Sequence, residues 1–477
     1  MFKKNRLFIM SLLMTLVLFA VVHADTHTAA SCSQAHVQAA VNSAANGDTV
    51  VIPNGSCSWT DGISTTRQIR IEAQYYTPTA GGNTSRSVII TNNSPDPLFT
   101  LTSGSSYHCG IAGIKFVEGT QKTNFIRIQG NGTRVPLIHD CWFDIDERFG
   151  NQPDIAVFAV LSLGGVVWNC RFDTPGSDFQ GYPGSQGASM YINSPRDWYT
   201  ASTMGALDTN GTVNIYFEDC TFFNCSQCPD IDDNGRAVFR HCLLDGSGGI
   251  THGFTSISGG RHFEYYDNTF TVTTPERNQS RYFWCRGGTG IFTDNVVNNN
   301  VTPSAFGSQT LLDIGDNTNP TSMGSYPIAR QPGWGHNGTS NVSDPIYIWK
   351  NTGSRAYIWS HNTQAGPWDQ YVQLDRDLFV NSGAKPGYQK YAYPHPLRSS
   401  GSGIRTALTP KSPVDGPAEY EVYDVKGREI LAFRGQCDIQ TGIANFMTRN
   451  RRLPAGPYVG VVSRGSLRPA LTRMVLR

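Results

Sequence analysis

The chain has 477 residues, including 49 glycines and 26 prolines, and 39% of its residues are hydrophobic. Its 38 lysines and arginines nearly balance 37 aspartates and glutamates, which gives a formal net charge of +1. That balance argues against a general surface for nucleic acid or anionic membrane, and leaves only local charged patches for binding.

The first 24 residues are predicted to be a secretory signal. Basic residues precede the apolar run 7–22, and this run ends in small residues at Ala24, where we expect cleavage. An uncleaved anchor is the alternative. No other segment has the long uncharged apolar run that a membrane helix needs. We therefore expect a secreted or outer-surface protein without a transmembrane segment in the mature chain.

Export makes the eleven cysteines candidates for disulfides, and their odd number leaves at least one unpaired or intermolecular. Cys32 and Cys57 flank the first predicted element and are expected to pair. Cys225 and Cys228 form a CxxC loop without the second CxxC of a zinc site, so we expect a local bridge there.

Residues 33–46 are predicted to form a short amphipathic helix. Ser33 is the expected N-cap, Val37 and Val41 share one face, and Asn46 with the following glycine ends the helix. The strand DTVVIP follows directly. From there to about residue 396 the pattern predicts a long series of short strands separated by turns.

A short phrase recurs between residues 215 and 297. It occurs as FEDCTF, FRHCLL, YYDNTF and FTDNVV in steps of 22, 26 and 27 residues, and upstream as IHDCWF and WNCRFD. Apolar residues with period-two spacing on both sides of a polar bend predict two short strands that meet at a corner. One such coil cannot bury its apolar face alone. The coils are therefore expected to stack as a right-handed parallel β-helix, with the helix at 33–46 covering its open end.

The Cys or Asn of each copy is predicted to form an interior column. The cysteines of this column are Cys141, Cys170, Cys220 and Cys242. The spacing of adjacent coils falls within the Cα separation of a disulfide, so the column is compatible with bridges or with buried thiols.

Two irregular stretches, 174–210 and 302–336, interrupt the coils. The first is polar and rich in glycine, proline and serine, and long insertions of this kind usually lie over a face where ligands bind. The segment GYQKYAYPHPL closes the β-helix, which is expected to span residues 25–398.

Residues 399–418 form a predicted linker, because serine, glycine and proline are frequent there. Residues 419–477 differ in kind. They alternate with period two around tight turns, which predicts a small C-terminal β-sandwich. The predicted fold class is therefore all-β.

The body of the chain resembles the pectate-lyase-like superfamily of right-handed β-helices. The resemblance rests on VQAAVNSAANGDTVVIPNG and on the repeated DC.F and DN.F coils, and it covers about residues 25–397. It implies the fold and leaves the chemistry open, because this superfamily includes lyases, hydrolases, epimerases, adhesins and phage tailspikes.

The tail resembles the C-terminal sorting domain of type IX secretion. The matching segments are VYD at 422–424, GRE at 427–429, LPAG at 453–456 with Tyr458, and the terminal RMVLR. A generic immunoglobulin-like accessory domain is the alternative. The resemblance implies that secretion machinery recognises this domain and that the protein is then released or bound at the cell surface.

Three consecutive coils each place an arginine beside a glycine turn, namely Arg236, Arg261 and Arg286. Coil stacking would set these side chains about one strand spacing apart as a cationic stripe, and guanidinium groups bind carboxylates in bidentate fashion. With Arg281 and Trp284 they form the predicted binding site for an acidic polysaccharide. The alternative is three exposed arginines with acidic neighbours.

The sequence DIDDNG, with Asp230, Asp232 and Asn234, has the spacing that turns alternate oxygen atoms toward one calcium ion. The twelfth position of a helical calcium loop would be glutamate, and here it is His241. A complete site of that kind is therefore not expected, and the alternatives are a partial calcium site or a polar turn.

His241 interrupts a column of aspartates whose charges would favour its protonated form. The alternative is an ion-pair ladder, because Glu218 and Arg240 occupy the same outward position in adjacent coils. His252 and His262 lie nearer the glycine corner and the arginines, which suits acid–base catalysis better.

Cleavage of a uronate polymer by β-elimination needs a cation at the carboxylate, a base for the C5 proton and an acid at the leaving oxygen. The arginines, with or without calcium, are assigned the first role, and His252, Arg261 and His262 the catalytic roles. This predicts an exported protein that binds and cleaves an acidic polysaccharide.

Hydrolysis would instead need two carboxylates that face one groove. Asp232 with Asp233, or Asp144 with Asp146, are the candidates. The rival to both enzymes is a non-catalytic adhesin or structural surface protein in which the same arginines only bind glycan.

Overall fold

The computed structural model divides the chain into two compact units, Met1–Gly403 and Ile404–Arg477. It describes residues 24–76, 86–121, 124–144, 158–173, 190–195, 208–225, 228–253, 259–273, 281–298, 310–337, 339–362, 365–401, 418–424, 429–435, 456–463 and 470–476. The predicted signal peptide up to residue 23 and most of the 174–210 stretch lie outside these ranges.

The first unit is a right-handed parallel β-helix, because each coil contributes strands to three long parallel sheets. Sheet A has twelve strands: Thr26–Thr28, Thr49–Ile52, Arg70–Ala73, Gly110–Ala112, Leu137–His139, Gly165–Trp168, Ile215–Glu218, Arg236–Arg240, His262–Tyr266, Thr289–Thr293, Ile346–Trp349 and Leu378–Val380.

Sheet B follows sheet A within each coil. Its nine strands are Gly55–Trp59, Val88–Asn92, Ile114–Glu118, Trp142–Asp144, Arg171–Asp173, Thr221–Phe223, Leu243–Asp245, Thr269–Thr271 and Val296–Val297. Sheet C completes the coil. Its ten strands are Ile63–Thr65, Phe99–Thr102, Ile126–Gly130, Phe158–Ser162, Met190–Asn193, Asp230–Ile231, Gly249–Thr251, Arg281–Cys285, Thr310–Ile314 and Trp359–His361.

Single residues in the left-handed conformation make the corners between sheets A and B. They include Asp140, Asn169, Asp219, His241, Asp267 and Asp294, with φ between 52° and 58°. Short polar side chains, above all Asn and Asp, tolerate this conformation better than other non-glycine residues. The polar residue that precedes each Cys or Asn in the sequence is therefore a requirement of the corner.

The residue after each corner points inward, as predicted. In the last coils this column is an asparagine ladder, in which Asn268 Nδ2 donates to Asn295 Oδ1 at 3.1 Å and Asn295 Nδ2 donates to Asn351 Oδ1 at 2.9 Å. Each of these three amides also donates to a backbone carbonyl. The buried amide groups therefore have hydrogen-bond partners, and their hydrogen bonds link successive coils.

The cysteines of the column, Cys141, Cys170, Cys220 and Cys242, are buried free thiols, which decides between the two alternatives. Cys225 is also a buried free thiol, so the predicted local bridge between it and Cys228 is wrong. The predicted pair Cys32–Cys57 is confirmed, with a Cα separation of 5.9 Å.

Stacked aromatic rings fill much of the core. The ring centroids of Phe143, Phe172 and Phe222 lie 4.5 and 4.9 Å apart along the strands of sheet B. At the N-terminal end of the β-helix, the helix Gln34–Ser43 covers the core and buries its own Val37, Ala40 and Val41. This confirms the predicted helix, although it ends three residues earlier than expected.

Residues 385–398, which we call the strap, run back across the outer face of sheet A. Tyr391 of the strap packs with Tyr216, Val238 and Tyr266 of sheet A in a second apolar cluster. Ion pairs and hydrogen bonds on both sides of this cluster fix the strap: Lys385 to Asp344, Tyr388 to Glu264, Lys390 to Asp267 and Asp294, Tyr393 to Asp219, and Arg398 to Glu218 and Asp219.

Shorter elements complete the first unit. They are the 3₁₀ helix Pro320–Met323, the antiparallel hairpin Trp334–His336 with Asn341–Ser343, and the helices Trp368–Tyr371 and Leu397–Gly401. The last helix includes residues 399–401, which the sequence assigned to the linker. Among the described residues, no helix is long and apolar enough to cross a membrane.

In the second unit, the described residues form one antiparallel sheet. Its strands are Ala418–Asp424, Glu429–Gly435, Gly456–Ser463 and Ala470–Leu476, and the second strand occupies one edge beside the first. The sequence predicted a two-layer sandwich, and a single layer is what the described part of this unit contains.

Candidate active site

The outer face of sheet C carries a row of mostly polar and aromatic side chains. Tyr191, Asp230, Ile250, Trp284 and Asp313 occupy equivalent positions on five neighbouring strands. Inward-pointing residues alternate with this row, because successive residues of a strand point to opposite faces. Six of the ten predicted site residues, namely Asp230, Asp232, His252, Arg281, Trp284 and Arg286, lie on the strands that carry this row or directly after them.

His252 is at the centre of this row. It follows the strand Gly249–Thr251, and its Nδ1 lies 2.8 Å from Asp232 Oδ2 and 3.6 Å from Asp230 Oδ1. An ionised carboxylate only accepts hydrogen bonds, so Nδ1 carries a proton. The histidine side chain is 23% exposed, whereas Asp230 and Asp232 are 5% and 10% exposed. Solvent can therefore reach the imidazole, which lies beside two nearly buried acids.

The two carboxylates raise the pKa of His252. Burial alone would lower it, but the hydrogen bond to Asp232 and the negative charges of Asp230 and Asp232 outweigh burial and the opposing charge of Arg286. The imidazolium form thus persists above the ordinary histidine pKa of 6.5. A protonated and partly exposed imidazole is suited to act as a general acid.

Tyr191 donates its phenol hydrogen to Asp232 Oδ2 at 2.6 Å. Burial would raise the pKa of Asp232, but hydrogen bonds from His252 and Tyr191 and the charge of His252 lower it overall. Asp232 consequently stays ionised and fixes the orientation of the imidazole. Asn193 continues the row beside Tyr191 and donates to Asp233 Oδ2 at 3.0 Å.

Arg286 follows the next strand of sheet C. Its Nη2 lies 3.0 Å from Oδ1 of the buried Asp316, and its backbone N–H donates to Thr251 Oγ1 at 3.0 Å. Among the described residues Asp316 Oδ2 has no hydrogen-bond partner, and it lies so close to Gly253 that a Cβ there would meet it at 1.9 Å. Only glycine fits at position 253, directly after the candidate acid.

The indole of Trp284 lies between this site and a second arginine. The guanidinium carbons of Arg281 and Arg286 lie 3.8 and 5.1 Å from its ring centroid, and its Nε1 donates to the carbonyl of Gly315. Arg281 also pairs with Asp313 at 2.7 Å. Both arginines predicted to bind substrate on this face are therefore already paired with aspartates.

The predicted stripe of three arginines does not form. Arg236 begins a strand of sheet A, Arg261 directly precedes the next strand of that sheet, and Arg286 follows a strand of sheet C. Arg236 and Arg261 are each 1% exposed. They share no solvent-facing groove with Arg286, because the glycine turns beside these arginines occupy different positions in their coils.

His262 and Arg261, both predicted to be catalytic, lie near the strap. His262 is fully buried and its Nε2 lies 2.8 Å from Glu264 Oε1. Burial lowers the pKa of His262, against the hydrogen bond and charge of Glu264. Arg261 Nη1 lies 3.5 Å from Asp344 Oδ2. In this structure neither side chain is accessible to a polymer, which corrects the sequence assignment.

The ion-pair ladder proposed for Glu218 and Arg240 is confirmed. Both side chains are fully buried; Arg240 Nε donates to Glu218 Oε1 at 2.7 Å, and Arg240 Nη1 donates to the carbonyl of Tyr391 at 2.9 Å. The column of acids around His241 does not raise its pKa overall. Burial lowers its pKa despite the charges of Asp267 and Asp219.

The residues assigned to calcium are engaged in other contacts. Asp230 and Asp232 face His252, and the carbonyl of Asn234 accepts a hydrogen bond from Arg236 Nη1 at 2.9 Å. A protonated histidine between the two acids competes with a cation for the same oxygens. Across the described residues, no group of three His, Cys, Asp or Glu side chains is arranged to hold a metal ion. Calcium binding stays a prediction.

Sequence reasoning missed Tyr191 and Asp316. Tyr191 lies in the 174–210 stretch, whose composition predicts an irregular segment, although MYIN alternates and its Met190 and Ile192 are core residues. That alternation was the available signal. Asp316 follows the strand Thr310–Ile314 in the second irregular stretch, and nothing local in the sequence links it to Arg286. Of the other hydrolase candidates, Asp144 pairs with Lys115 on sheet B, and Asp146 lies outside the described residues.

Comparison with known proteins adds little to these assignments. No family model matches the chain, and no curated protein matches it. Among solved structures, the chain is similar to the tailspike protein of the Acinetobacter phage vB_ApiP_P1, with 11% sequence identity and a TM-score of 0.30. That similarity covers 92% of this chain and 74% of the tailspike.

Proposed function

We propose that the protein binds a polysaccharide across the outer face of sheet C and hydrolyses it by acid–base catalysis. One observation carries the proposal: His252 is partly exposed, has a raised pKa and meets two carboxylates, Asp230 and Asp232. Glycosidic bonds are commonly hydrolysed where an acid and a carboxylate base flank one bond.

In the proposed reaction, Nε2–H of the His252 imidazolium protonates the glycosidic oxygen as its bond to the anomeric carbon breaks. Asp230 takes a proton from a water molecule, and the oxygen of that water forms the new bond to the anomeric carbon. Asp232 acts on His252, whose ring it orients and keeps charged. Tyr191 in turn holds Asp232.

β-Elimination of a uronate polymer is the second candidate, and Arg281 and Arg286 beside Trp284 favour it. Elimination needs a cation that neutralises the substrate carboxylate. The aspartates already paired with both arginines weaken this candidate. The deciding observable is the product, since elimination leaves an unsaturated sugar and hydrolysis does not.

The test is to incubate the purified chain with a panel of acidic and neutral polysaccharides, with and without calcium. New reducing ends without an unsaturated, ultraviolet-absorbing product would support hydrolysis. The unsaturated product would establish elimination instead. Reducing ends from no member of the panel, despite measurable binding, would replace both enzymes with the adhesin hypothesis.

Asp232→Asn should lower kcat by about 10²-fold or more, because His252 loses both its charge partner and its fixed orientation. Asp61→Asn is the matched control, since Asp61 is exposed and distant in the fold at the start of the β-helix. Equal turnover by the two variants would remove Asp232 from the mechanism.

We further propose that the chain is exported and that its second unit directs this step. The support is the sequence of the first 24 residues and the sorting-domain resemblance of the tail. Deleting residues 419–477 in a host with type IX secretion should leave the protein in the periplasm. Normal appearance of the shortened chain outside the cell would contradict the assigned role of the tail.

A further inference from the structure

The row on the outer face of sheet C continues away from His252 toward the first coils. Strand pairing aligns Asp230 with Tyr191, Tyr191 with Ala159, Ala159 with Arg127, and Arg127 with Thr100. Arg127 therefore lies on the same row as the candidate base, three strands away. At about 4.8 Å per strand this is a distance of roughly 14 Å.

Arg127 differs from the arginines near His252. Its neighbours along the strand, Ile126 and Ile128, are fully buried in the core, and Arg127 between them is exposed. Arg281 and Arg286 are paired with aspartates, whereas no residue in the described part of the chain forms a hydrogen bond or ion pair with the Arg127 side chain. An exposed guanidinium without a partner can bind an anionic group without first breaking an ion pair.

We propose that Arg127 is a distant binding residue for an anionic group, carboxylate or sulfate, on the polysaccharide that His252 cleaves. The inference rests on the proposed function and adds the class of substrate. An extended acidic chain lies across the strands of sheet C, its cleaved bond at His252 and a charged sugar several residues away at Arg127.

This geometry makes the contribution of Arg127 to binding depend on the length of the polysaccharide. The strand of Arg127 lies four strand spacings, or about 19 Å, from the strand that His252 follows, and a short oligosaccharide cannot bridge that distance. Arg127 should therefore strengthen binding of long acidic chains and leave short ones unaffected. It should also contribute to salt dependence, because its attraction for the anion is exposed to solvent.

The experiment compares Arg127→Gln with Arg134→Gln in the full chain. Arg134 is the matched control because it is exposed and lies in the same coil, beyond the strand that carries Arg127. The probes are polygalacturonate, alginate and dextran sulfate, each as long polymer and as short oligosaccharides, with carboxyl-reduced polygalacturonate as the neutral polymer. Affinity is measured at low and high salt.

The expected result is that Arg127→Gln weakens binding of at least one long acidic polymer about three- to tenfold at low salt, and that Arg134→Gln does not. A loss of affinity for the uronate polymers would identify a carboxylate as the group that Arg127 binds, and a loss of affinity for dextran sulfate would identify a sulfate. Equal affinities of the two variants, or equal losses on short and long chains, would overturn the inference.

Binding of the neutral polymer alone by the wild-type chain would also overturn it. Failure of the proposed function is distinguishable, because it appears as missing product from every polymer. The effect of Arg127→Gln on affinity is measured without turnover and stands independently of that result.

Discussion

Two histidine–carboxylate pairs with the same separation between nitrogen and oxygen lie on different sheets of the β-helix. His252 Nδ1 is 2.8 Å from Asp232 on sheet C, and His262 Nε2 is 2.8 Å from Glu264 on sheet A. The pKa of His252 is raised, whereas that of His262 is lowered. At His262, full burial outweighs the carboxylates of Glu264 and Asp344, whereas at His252 the carboxylates of Asp232 and Asp230 outweigh partial burial.

The strap explains much of this difference. Tyr388 donates to the second oxygen of Glu264, and Tyr391, Tyr393 and Arg398 continue the cover along sheet A. Histidine–carboxylate pairs thus occur both in the covered interior beneath the strap on sheet A and at a partly exposed position on sheet C. A histidine beside an acid identifies a catalytic site only when the surrounding structure leaves the ring accessible.

The largest expected effect of a substitution on stability is at Glu218. Glu218→Gln leaves the buried Arg240 without its charge partner and weakens the anchoring of Arg398. Breaking a buried ion pair in this way costs about 3–5 kcal/mol. Thermal and denaturant unfolding should show this loss, with kcat unchanged in the folded fraction. A loss no larger than that of the exposed control Asp61→Asn would show that the strap contributes little.

A matched pair of tyrosine variants sharpens the comparison. Tyr191 and Tyr388 each donate a hydroxyl to a carboxylate, at 2.6 Å on Asp232 and 2.8 Å on Glu264. Tyr388→Phe should lower the free energy of unfolding by about 1–3 kcal/mol and leave kcat unchanged. Tyr191→Phe should lower kcat/KM about tenfold, because Asp232 loses a donor that keeps it ionised. The reverse pattern would exchange the roles of the two faces.

The smallest expected effect is the dependence of folding stability on pH, and its sign differs between the two histidines. The raised pKa of His252 contributes stability that is present below the unfolded pKa of about 6.5 and is lost as pH rises through the folded value. The lowered pKa of His262 acts in the opposite direction, so its stabilisation is present above about 6.5 and is lost as pH falls toward the folded value.

Histidine NMR resonances, assigned by their loss in His252→Gln and His262→Gln, should show this difference directly. The His252 resonance should titrate above pH 6.5, and the His262 resonance should titrate below it. In Asp230→Asn the His252 midpoint should fall. Identical midpoints for the two rings would contradict the electrostatic difference between the faces.

The sequence predicted the parts of the fold that repeat. The Cys/Asn column, the corner before it and the helix at the open end all follow from local patterning, because each coil imposes the same left-handed residue and the same inward position. His252, Asp230 and Asp232 were found because they stand close together in the sequence. The accessible site was therefore predicted in part.

The sequence could not predict the features that depend on which strand a residue belongs to. Arg236, Arg261 and Arg286 look equivalent beside their glycines, but the connections between sheets C and A differ in length, so only Arg286 reaches the site. Glu264, the partner of His262, accepts a hydrogen bond from Tyr388, which lies more than a hundred residues downstream. No local pattern signals a contact of that separation.

The most direct test of the account compares turnover by His252→Gln and His262→Gln on the polysaccharide that the wild-type chain cleaves. His36→Gln is the control, because His36 is exposed on the capping helix. We predict that His252→Gln loses about 10²-fold or more in kcat, while folded His262→Gln and His36→Gln retain wild-type kcat. Wild-type turnover by His252→Gln, or an equal loss in correctly folded His262→Gln, would contradict the assignment of the active site to sheet C.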